Sequence, residues 1–357
     1  MEFPVDKVLD ACRKTSGITN PNINYVNKIL TNWYEEQQTG KVGSGKKELT
    51  TGDIMRYYKE AKEAKEVRDA QATKAVADII CQVRTDGDKA LKDLAKKFDN
   101  ADLTEMRVSK EEIAKAYTMV DEKVVESFKK AAKQIEFYAK AQLDCIKPLD
   151  VQSPIAGVEL GHRLIPVDNA GLYVPGGRFP LPSTALMLTI PAKIAGVKRV
   201  IACSPANKEY GMIHPATLVA LDIAGADEIY TVGGAQAIAA MAYGTESIAK
   251  VDLIAGPGNR YVTEAKRQVM GTVGIDSLAG PSEVLIVADE TAKPEYLAID
   301  LLAQSEHDAF AQSVLVTTDE SKVPEVLKAM KELSGQLSTG EAAMQSFADN
   351  GTIIIAD

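Results

Sequence analysis

Short runs of β-branched residues alternate with helical stretches from Pro148 onward, and this alternation limits the possible folds more than any other feature of the chain. Strands separated by helices favour an α/β protein in which helices cover a parallel sheet. The predicted strands are 171–174, 199–203, 228–232, 251–255, 284–288, 313–317 and 352–356. The predicted helices between them are 184–195, 215–224, 236–243, 260–270, 294–306 and 322–335. The pattern therefore predicts Rossmann-like, doubly wound parallel sheets.

The division of the chain into domains follows from the same texture. Seven strands can form one wide sheet or two sheets in tandem, and we predict two sheet domains, at residues 151–270 and 271–357. The preceding region, residues 66–150, carries helical patterns only, including one over 110–142. Residues 1–65 form a further helical segment with a linker, so an all-helical region is predicted before the sheets.

Composition and charge exclude several classes of protein. The chain of 357 residues is 45% hydrophobic and 25% charged, with a net charge of −9 that argues against a general nucleic-acid binder. It has no apolar run of eighteen residues and no apolar signal core in Met1–Thr15, so we expect no membrane span and no export. None of the four cysteines has CxxC spacing, and we expect reduced thiols in the cytoplasm.

Three glycine-rich segments stand at the ends of predicted strands. They are GLYVPGG at 171–177, VGGAQAIAA at 232–240 and AGPGN at 255–259. Each one alone is typical of a tight turn. Together they indicate a ligand cleft, because ligands of open α/β sheets bind outside the carboxyl ends of the strands. None matches GxGxxG, and a Walker A loop, an HExxH pair and a GxSxG elbow are also missing from the sequence.

Two further motifs lie later in the sequence, at 279–284 and 301–308. In AGPSEV, at 279–284, Ser282 offers a hydroxyl to a site, although a turn built on Pro281 also explains the motif. In LLAQSEHD, at 301–308, Gln304 and His307 are three residues apart on a predicted helix and are candidates for two metal ligands. Zinc needs four ligands, and a histidine near a helix end also serves as a cap or surface residue.

These blocks, in this order and with short gaps, resemble histidinol dehydrogenases from about residue 66 to Asp357. The resemblance implies a zinc-dependent, homodimeric enzyme of histidine biosynthesis that oxidises L-histidinol to L-histidine with NAD. It also implies Rossmann-like sheets that bind NAD without the usual glycine fingerprint.

The resemblance assigns roles to six positions of this chain. Tyr173, Gln236 and Asn259 match NAD-binding positions, and Ser282 matches a substrate-binding position. Gln304 and His307 match two zinc ligands that also contact the substrate. In the family the metal orients histidinol, while an adjacent glutamate and histidine carry out the acid–base steps.

The family pattern extends further than this sequence does. Its Glu–His pair, an aspartate zinc ligand and a histidine from the partner subunit are all expected beyond Asp357. We therefore expect the polypeptide as given to be inactive and to bind zinc weakly through two ligands. We also expect it to expose apolar surface that the family buries in its dimer.

Residues 1–65 do not resemble histidinol dehydrogenase. The stretch NINYVNKILTNWYEE, at 22–36, resembles the C-terminal helical module of DnaD-type primosome proteins, with Tyr25, Ile29 and Trp33 on one helix face. That resemblance implies a DNA-binding adaptor as the alternative function. The same aromatic stripe is typical of a small helical core. The 11 basic and 9 acidic residues of this segment give a balance of +2, which makes a weak phosphate-binding field.

Overall fold

The computed structural model describes residues 51–176, 180–278, 283–307 and 311–356, with side chains described from Ala70 onward. The chain divides into two compact units, one formed by Gln71–Gly280 and the other by Met1–Ala70 with Pro281–Asp357. Within the described ranges, no helix is both long and apolar enough to cross a membrane.

Three helices and a β-hairpin come first, and from Asn169 onward strands and helices largely alternate, as in an α/β protein. The helices are α1 (Thr51–Asp99), α2 (Lys110–Thr118), α3 (Glu122–Asp144), α4 (Pro182–Ile194), α5 (Pro215–Ala224), α6 (Gly234–Tyr243), α7 (Arg260–Val269), α8 (Pro294–Ser305), α9 (Lys322–Ser334) and α10 (Gly340–Asn350). The strands are β1 (Leu149–Gln152), β2 (Glu159–His162), β3 (Asn169–Tyr173), β4 (Arg199–Ser204), β5 (Glu228–Thr231), β6 (Leu253–Ala255), β7 (Gly274–Ile275), β8 (Glu283–Ala288), β9 (Gln312–Thr317) and β10 (Thr352–Ile355).

The first unit contains a five-stranded parallel sheet in the order β5-β4-β3-β6-β7. The chain builds outward from β3 through β4 to β5, and then returns to the other side of β3 for β6 and β7. This order corresponds to the 3-2-1-4-5 part of the doubly wound Rossmann strand order, and the change of direction lies between β3 and β6.

Helices cover both faces of this sheet. Tyr173 and Ile201 belong to a core formed with α1, α6 and α7, whereas their chain neighbours Leu172 and Ala202 belong to a core formed with α2 to α5. Successive residues of a strand point to opposite faces, so strands apolar throughout are buried on both sides. The doubly wound prediction therefore describes this sheet.

The segment that follows α1 forms an extra edge beside β5. Val108 donates its N–H to Ile229 O at 2.8 Å, and Thr231 donates to Met106 O at 2.7 Å. The pairing is antiparallel, as the bridge between Arg107 and Tyr230 shows. Because the chain runs opposite to β5, the residues before Met106 lie toward the carboxyl end of the sheet.

Two helices occupy the span for which the sequence predicts one helix over 110–142. The prediction is wrong at residues 119–121, where Met119 ends α2 and Asp121 begins α3. The Asp121 carboxylate accepts the backbone N–H of Lys123 at 2.7 Å, and Ser109 and Glu112 form a reciprocal capping box on α2. The Asp121 cap, of a kind that stabilises a helix start by about 1 kcal/mol, thus begins a second helix inside a continuous helical pattern.

A β-hairpin of β1 and β2 follows α3, with Val151 paired to Leu160 in antiparallel register. All eight of its strand residues are exposed. Apolar side chains near it are exposed as well, including Ile155 at 68% and Ile165 at 80%.

The second unit contains a three-stranded parallel sheet in the order β10-β9-β8. Its core joins Leu315 of β9 and Ile353 of β10 to apolar residues of the helices α8, α9 and α10. Side chains of β8 alternate between the two faces, which leaves Leu285 at 63% and Val287 at 76% exposure. The seven predicted strands thus belong to two sheets, and each lies within two residues of its predicted bounds.

Candidate functional site

The strongest candidate site lies at the carboxyl ends of β3 and β6, where the strand order of the large sheet reverses. Such a switch point leaves a crevice between the loops that leave the two strands in opposite directions. Two of the three glycine-rich segments predicted from the sequence leave β3 and β6, and the third leaves β5. The three segments therefore lie at one edge of one sheet.

Tyr173, the last residue of β3, connects two of these loops. Its side chain is 4% exposed, and its hydroxyl accepts a hydrogen bond from the backbone N–H of Gly234 at 3.0 Å. Burial raises the pKa of Tyr173 to about 12, with a smaller contribution from the charge of Asp99. The phenol therefore keeps its proton at neutral pH and can donate it while it accepts from Gly234.

The loop after β6 packs directly on Tyr173. A Cβ atom built on Gly256 would lie 2.2 Å from the carbonyl oxygen of Tyr173, and Gly256 has a φ of 129°. Only glycine tolerates both the close approach and this backbone conformation. The two loops at the switch point are thus in backbone contact.

A partly buried ion pair, in which Lys266 is 3% and Asp276 is 35% exposed, holds the same loop. The ammonium of Lys266, on α7, donates to the carboxylate of Asp276 and to the carbonyl oxygen of Gly256, the latter at 3.1 Å. Asp276 in turn accepts the N–H of Gly256 at 2.8 Å. Burial acts to raise the pKa of Asp276, but the Gly256 N–H and the Lys266 ammonium outweigh it and lower that pKa. Both polar groups of the Gly256 peptide are therefore fixed by charged side chains.

The other two predicted cofactor residues lie at helix starts. Asn259 is exposed and caps α7, because its side-chain oxygen accepts the N–H groups of Tyr261 at 3.0 Å and Val262 at 3.2 Å. Gln236 is 2% exposed in the first turn of α6. A Cβ atom on Gly234 would lie 2.7 Å from its Oε1, so its carboxamide packs over that glycine.

Asp99, the last residue of α1, reaches the same edge of the sheet. A Cβ atom built on Gly233 would lie 3.3 Å from Asp99 Oδ2 and 2.5 Å from the Cβ of Pro205. Burial raises the pKa of Asp99 to about 6, and the positive charge of Lys208 acts against this rise. A half-buried carboxylate therefore stands beside the start of α6 and near the hydroxyl of Tyr173.

Gln304 and His307 lie in the second unit. The helix α8 ends at Ser305, so His307 falls outside it, which corrects the prediction that both residues sit on a helix. The turn is nevertheless preserved, since the N–H of His307 donates to Gln304 O at 3.2 Å. Glu306, between them, accepts a hydrogen bond from the Thr339 hydroxyl at 2.5 Å. Gln304 is half-buried and His307 is exposed.

These two residues do not complete a metal site. Among the described residues, no group of three or more histidine, cysteine, aspartate or glutamate side chains is placed to hold a metal ion. Zinc requires four ligands, so the described side chains do not fit a closed zinc site. Ser282, the predicted substrate residue, lies outside the described residues.

Sequence reasoning did not single out Asp99, Lys266 or Asp276. The sequence does contain an indication that Lys266 is unusual. It lies on the apolar face of α7 between Val262 and Val269, and a charge buried there needs a partner. Asp99 carried a weaker one: it is a carboxylate at the last position of a helix, where the helix dipole favours a cation.

The comparisons with known proteins agree over most of the chain. A family model described as histidinol dehydrogenase matches residues 62–357. The histidinol dehydrogenase of Methanocaldococcus jannaschii is 45% identical over 317 residues, which cover 87% of this chain and 73% of that protein. The histidinol dehydrogenase of Agrobacterium fabrum is 48% identical over 291 residues, which cover 81% of this chain and 66% of that protein.

A solved structure gives the same result. The crystal structure of histidinol dehydrogenase from Elizabethkingia anophelis matches with a TM-score of 0.72 and 40% sequence identity. The match covers 80% of this chain and 65% of that chain, so the chain spans about two thirds of the length of the solved relative. From the family model, the identity to these relatives and the shared fold, the chain belongs to the histidinol dehydrogenase family.

Proposed function

We propose that this chain binds NAD at the carboxyl edge of its large sheet and takes part in the NAD-dependent oxidation of L-histidinol to L-histidine. Membership of the histidinol dehydrogenase family supports the reaction. The matched relatives are longer than this chain, and the activity of the whole enzyme is therefore a proposal for it.

One observation carries the NAD assignment. The three glycine-rich loops are joined around Tyr173, whose hydroxyl accepts the N–H of Gly234 while its backbone contacts Gly256. Glycine has no side chain, so glycine-rich loops allow a ligand to approach the backbone closely. Their place at the switch point is where dinucleotides bind in open α/β sheets.

The residues of this chain have distinct parts in the proposed binding. NAD supplies the hydride acceptor when it is bound. Tyr173 keeps its proton at neutral pH and orients the start of α6. The Lys266–Asp276 pair fixes the Gly256 peptide, so that the loop after β6 presents one conformation to the ligand. Asn259 and Gln236 complete the proposed cofactor contacts at the starts of α7 and α6.

Ser282, Gln304 and His307 are the proposed substrate positions. The half-buried amide of Gln304 and the exposed imidazole of His307 lie one turn apart, and we propose them as two zinc ligands. Within the described residues these two side chains form only part of a zinc site. The acid–base role is not assigned to any residue within the described ranges.

A homodimer is part of the proposal, and the β1–β2 hairpin supports it. The cross-strand pair of Val151 and Leu160 exposes 44% and 54% of its surface, beside Ile155 and Ile165. Apolar surface of this kind is typical of an interface. A cytoplasmic location is also proposed, and the exposed free thiols of Cys81 and Cys145 are consistent with a reducing compartment.

Titration of the full chain with NADH, followed by nucleotide fluorescence, tests the cofactor proposal. We expect saturable binding by the wild type and a several-fold loss of affinity in Tyr173→Phe, since the Gly234 N–H then lacks its acceptor. Tyr138→Phe is the matched control, because Tyr138 is 64% exposed on α3. An absence of saturable NADH binding by the wild type would overturn the proposed function.

A further inference from the structure

The acid that selects between the two nicotinamide dinucleotides is missing from its usual place in this sheet. In a Rossmann half, an aspartate or glutamate about twenty residues after the first βα turn binds the ribose hydroxyls of NAD. In chain order, β3 is the first strand of the large sheet and β4 is the second. The strand β4 ends in Ser204, which Pro205 and Ala206 follow. None of these three residues carries a carboxylate.

Asp99 occupies this position from another part of the chain. The segment that pairs with the edge of β5 directs the end of α1 to the carboxyl edge of the sheet. There Asp99 Oδ2 and Pro205 both approach Gly233, at 3.3 Å and 2.5 Å from a Cβ built on that residue. The carboxylate therefore stands next to the end of β4, although the sequence places it before the sheet.

A second observation points to a ligand at the same place. Ser204 is 1% exposed, and its hydroxyl has no hydrogen-bond partner among the described residues. A Cβ on Gly176, in the loop after β3, would lie 3.3 Å from this hydroxyl. Buried hydroxyls are normally satisfied, so Ser204 is an unpaired polar group directed toward the loop of the proposed cofactor site.

The charge around Asp99 favours a neutral diol over a phosphate. Asp99 already faces the start of α6, whose dipole attracts one anion and which has no side-chain cap. Lys208 is the cation whose charge acts on Asp99. A second anion at this point would be repelled, whereas hydroxyl groups can donate hydrogen bonds to the carboxylate.

We propose that Asp99 binds the adenosine ribose hydroxyls of NAD and disfavours the 2′-phosphate of NADP. The inference rests on the proposed function, because it assigns a residue to the same cofactor site. Glu209, the first acid after β4, is the competing candidate. It is exposed, and its charge acts on Tyr210 and on His214, which caps α5.

The test is a titration of the wild-type chain, Asp99→Asn and Glu209→Gln with NADH and with NADPH at pH 8. We expect the wild type to bind NADH at least about tenfold more tightly than NADPH. In Asp99→Asn, NADH affinity falls about tenfold while NADPH affinity stays level or rises, because a charged acceptor is lost to one ligand and a repulsion is removed for the other. Glu209→Gln behaves like the wild type, and thermal melting verifies that each variant is folded.

The outcomes separate the inference from the proposed function. Wild-type protein that binds neither nucleotide overturns the proposed function and the inference with it. If the wild type binds NADH but Asp99→Asn keeps its selectivity, the inference alone is wrong. Equal losses for both nucleotides in Asp99→Asn would mean a structural role, and a loss of selectivity in Glu209→Gln would assign the ribose to Glu209 instead.

Discussion

The hydroxyl oxygen of Tyr173 accepts a hydrogen bond from the backbone N–H of Gly234, at 3.0 Å. This bond fixes the carboxyl end of β3 to the first residue of α6, across the loops that form the candidate site. Gly234 has a φ of 63°, and its Cα faces the carboxamide of Gln236. Three residues of the two loops are thus fixed in relation to one another.

Gly234→Ala should destabilise the chain and weaken NADH binding. The left-handed backbone alone costs an alanine about 1 kcal/mol, and the new methyl group would also displace the Gln236 side chain. Gly225→Ala is the matched control, because Gly225 has a φ of 84° and open space around its Cα. Urea unfolding should show the larger loss for Gly234→Ala, and NADH affinity should fall in that variant only. Equal behaviour of the two variants would contradict the packing role of Gln236.

Lys266→Met should be strongly destabilising. The side chain of Lys266 is 3% exposed, and its loss would leave the Asp276 carboxylate without its cation beneath the Gly256 loop. Because the Asp276 side chain is 35% exposed, the cost should lie below that of a fully buried pair, at about 1–3 kcal/mol. Lys328→Met is the control, because Lys328 is 78% exposed and pairs with Glu332 at 3.9 Å. Its loss should change the free energy of unfolding by less than about 1 kcal/mol in denaturant melts. A small effect of Lys266→Met would argue that Asp276 is stabilised by backbone groups alone.

Asp99→Asn should raise stability at neutral and alkaline pH. The pKa of Asp99 rises from 3.8 to about 6 on folding, so the folded state binds the proton more tightly than the unfolded chain. Ionisation therefore removes stability as pH rises from about 4 to about 6, and the loss persists above that window. After allowance for solvent screening, we expect the variant to gain about 1–2 kcal/mol at pH 8 and little at pH 4.

Free energies of unfolding from urea melts at pH 4 and pH 8 measure this effect. Asp102→Asn is the control. Asp102 is 89% exposed, and its carboxylate lies 3.7 Å from the Lys96 ammonium in a long surface ion pair. A variant at position 99 that is less stable than the wild type at pH 8 would mean that the carboxylate has a stabilising partner. A gain in stability combined with a loss of NADH selectivity is the trade-off typical of a functional residue.

Zinc binding by the chain should be weak. Within the described ranges, Gln304 and His307 are the two proposed donors, and two ligands do not give the affinity of a four-ligand site. We expect a chelator of micromolar affinity to remove the metal, and His307→Ala to abolish the specific component. His162→Ala is the control, because His162 is exposed on β2 and its Nε2 lies 2.9 Å from Lys147 O. Tight binding that survives His307→Ala in equilibrium dialysis would place the metal elsewhere.

Leu160→Glu should weaken self-association. Leu160 pairs with Val151 on the exposed hairpin, and a charge there would have to be desolvated in any interface formed by the hairpin. Sedimentation velocity should show a shift toward monomer at micromolar concentrations. Leu337→Glu serves as the control, because Leu337 is 42% exposed in the second unit. If both variants sediment like the wild type, the hairpin is not the association surface.

Local sequence patterns predict every strand of the two parallel sheets except β7. Runs such as 199–203 and 313–317 are short, β-branched and bounded by polar or glycine residues, and the observed strands differ from them by one residue. The helix over 215–224 agrees at both ends because Pro215 starts it and Gly225 ends it in the left-handed conformation. Proline at the start and glycine at the end of this helix therefore make its bounds predictable from the sequence.

Other elements could not be predicted from local patterns. The β1–β2 hairpin is exposed on both faces, so no alternation of buried and exposed residues identifies it. The helix α10 starts at Gly340 without a side-chain cap and has few branched apolar residues, and β7 is only two residues long. The helix α10 packs on α8 and β7 pairs with β6, and a local sequence pattern contains neither of these contacts.

The sequence predicts the candidate site only in part, because only some of its residues follow directly after strands. Tyr173, Gln236 and Asn259 stand at strand ends, and the rule for α/β sheets indicates such positions; their cofactor roles stay predictions. Asp99 approaches Gly233 only through the route that the chain takes around the edge of β5. No sequence motif near Asp99 predicts this contact, because Asp99 and Gly233 come together only in the folded chain.

The segment at residues 106–108 has one more consequence, for solubility. An open strand edge is a template on which another chain can form a strand, and so a start for aggregation. Residues 106 and 108 take up the hydrogen-bonding groups of β5 at one border of the large sheet, and β7 at the other border is two residues long. Neither border offers a long template for recruiting another chain. The same stretch of backbone that carries Asp99 to the sheet therefore also protects this border of the large sheet against edge-to-edge pairing.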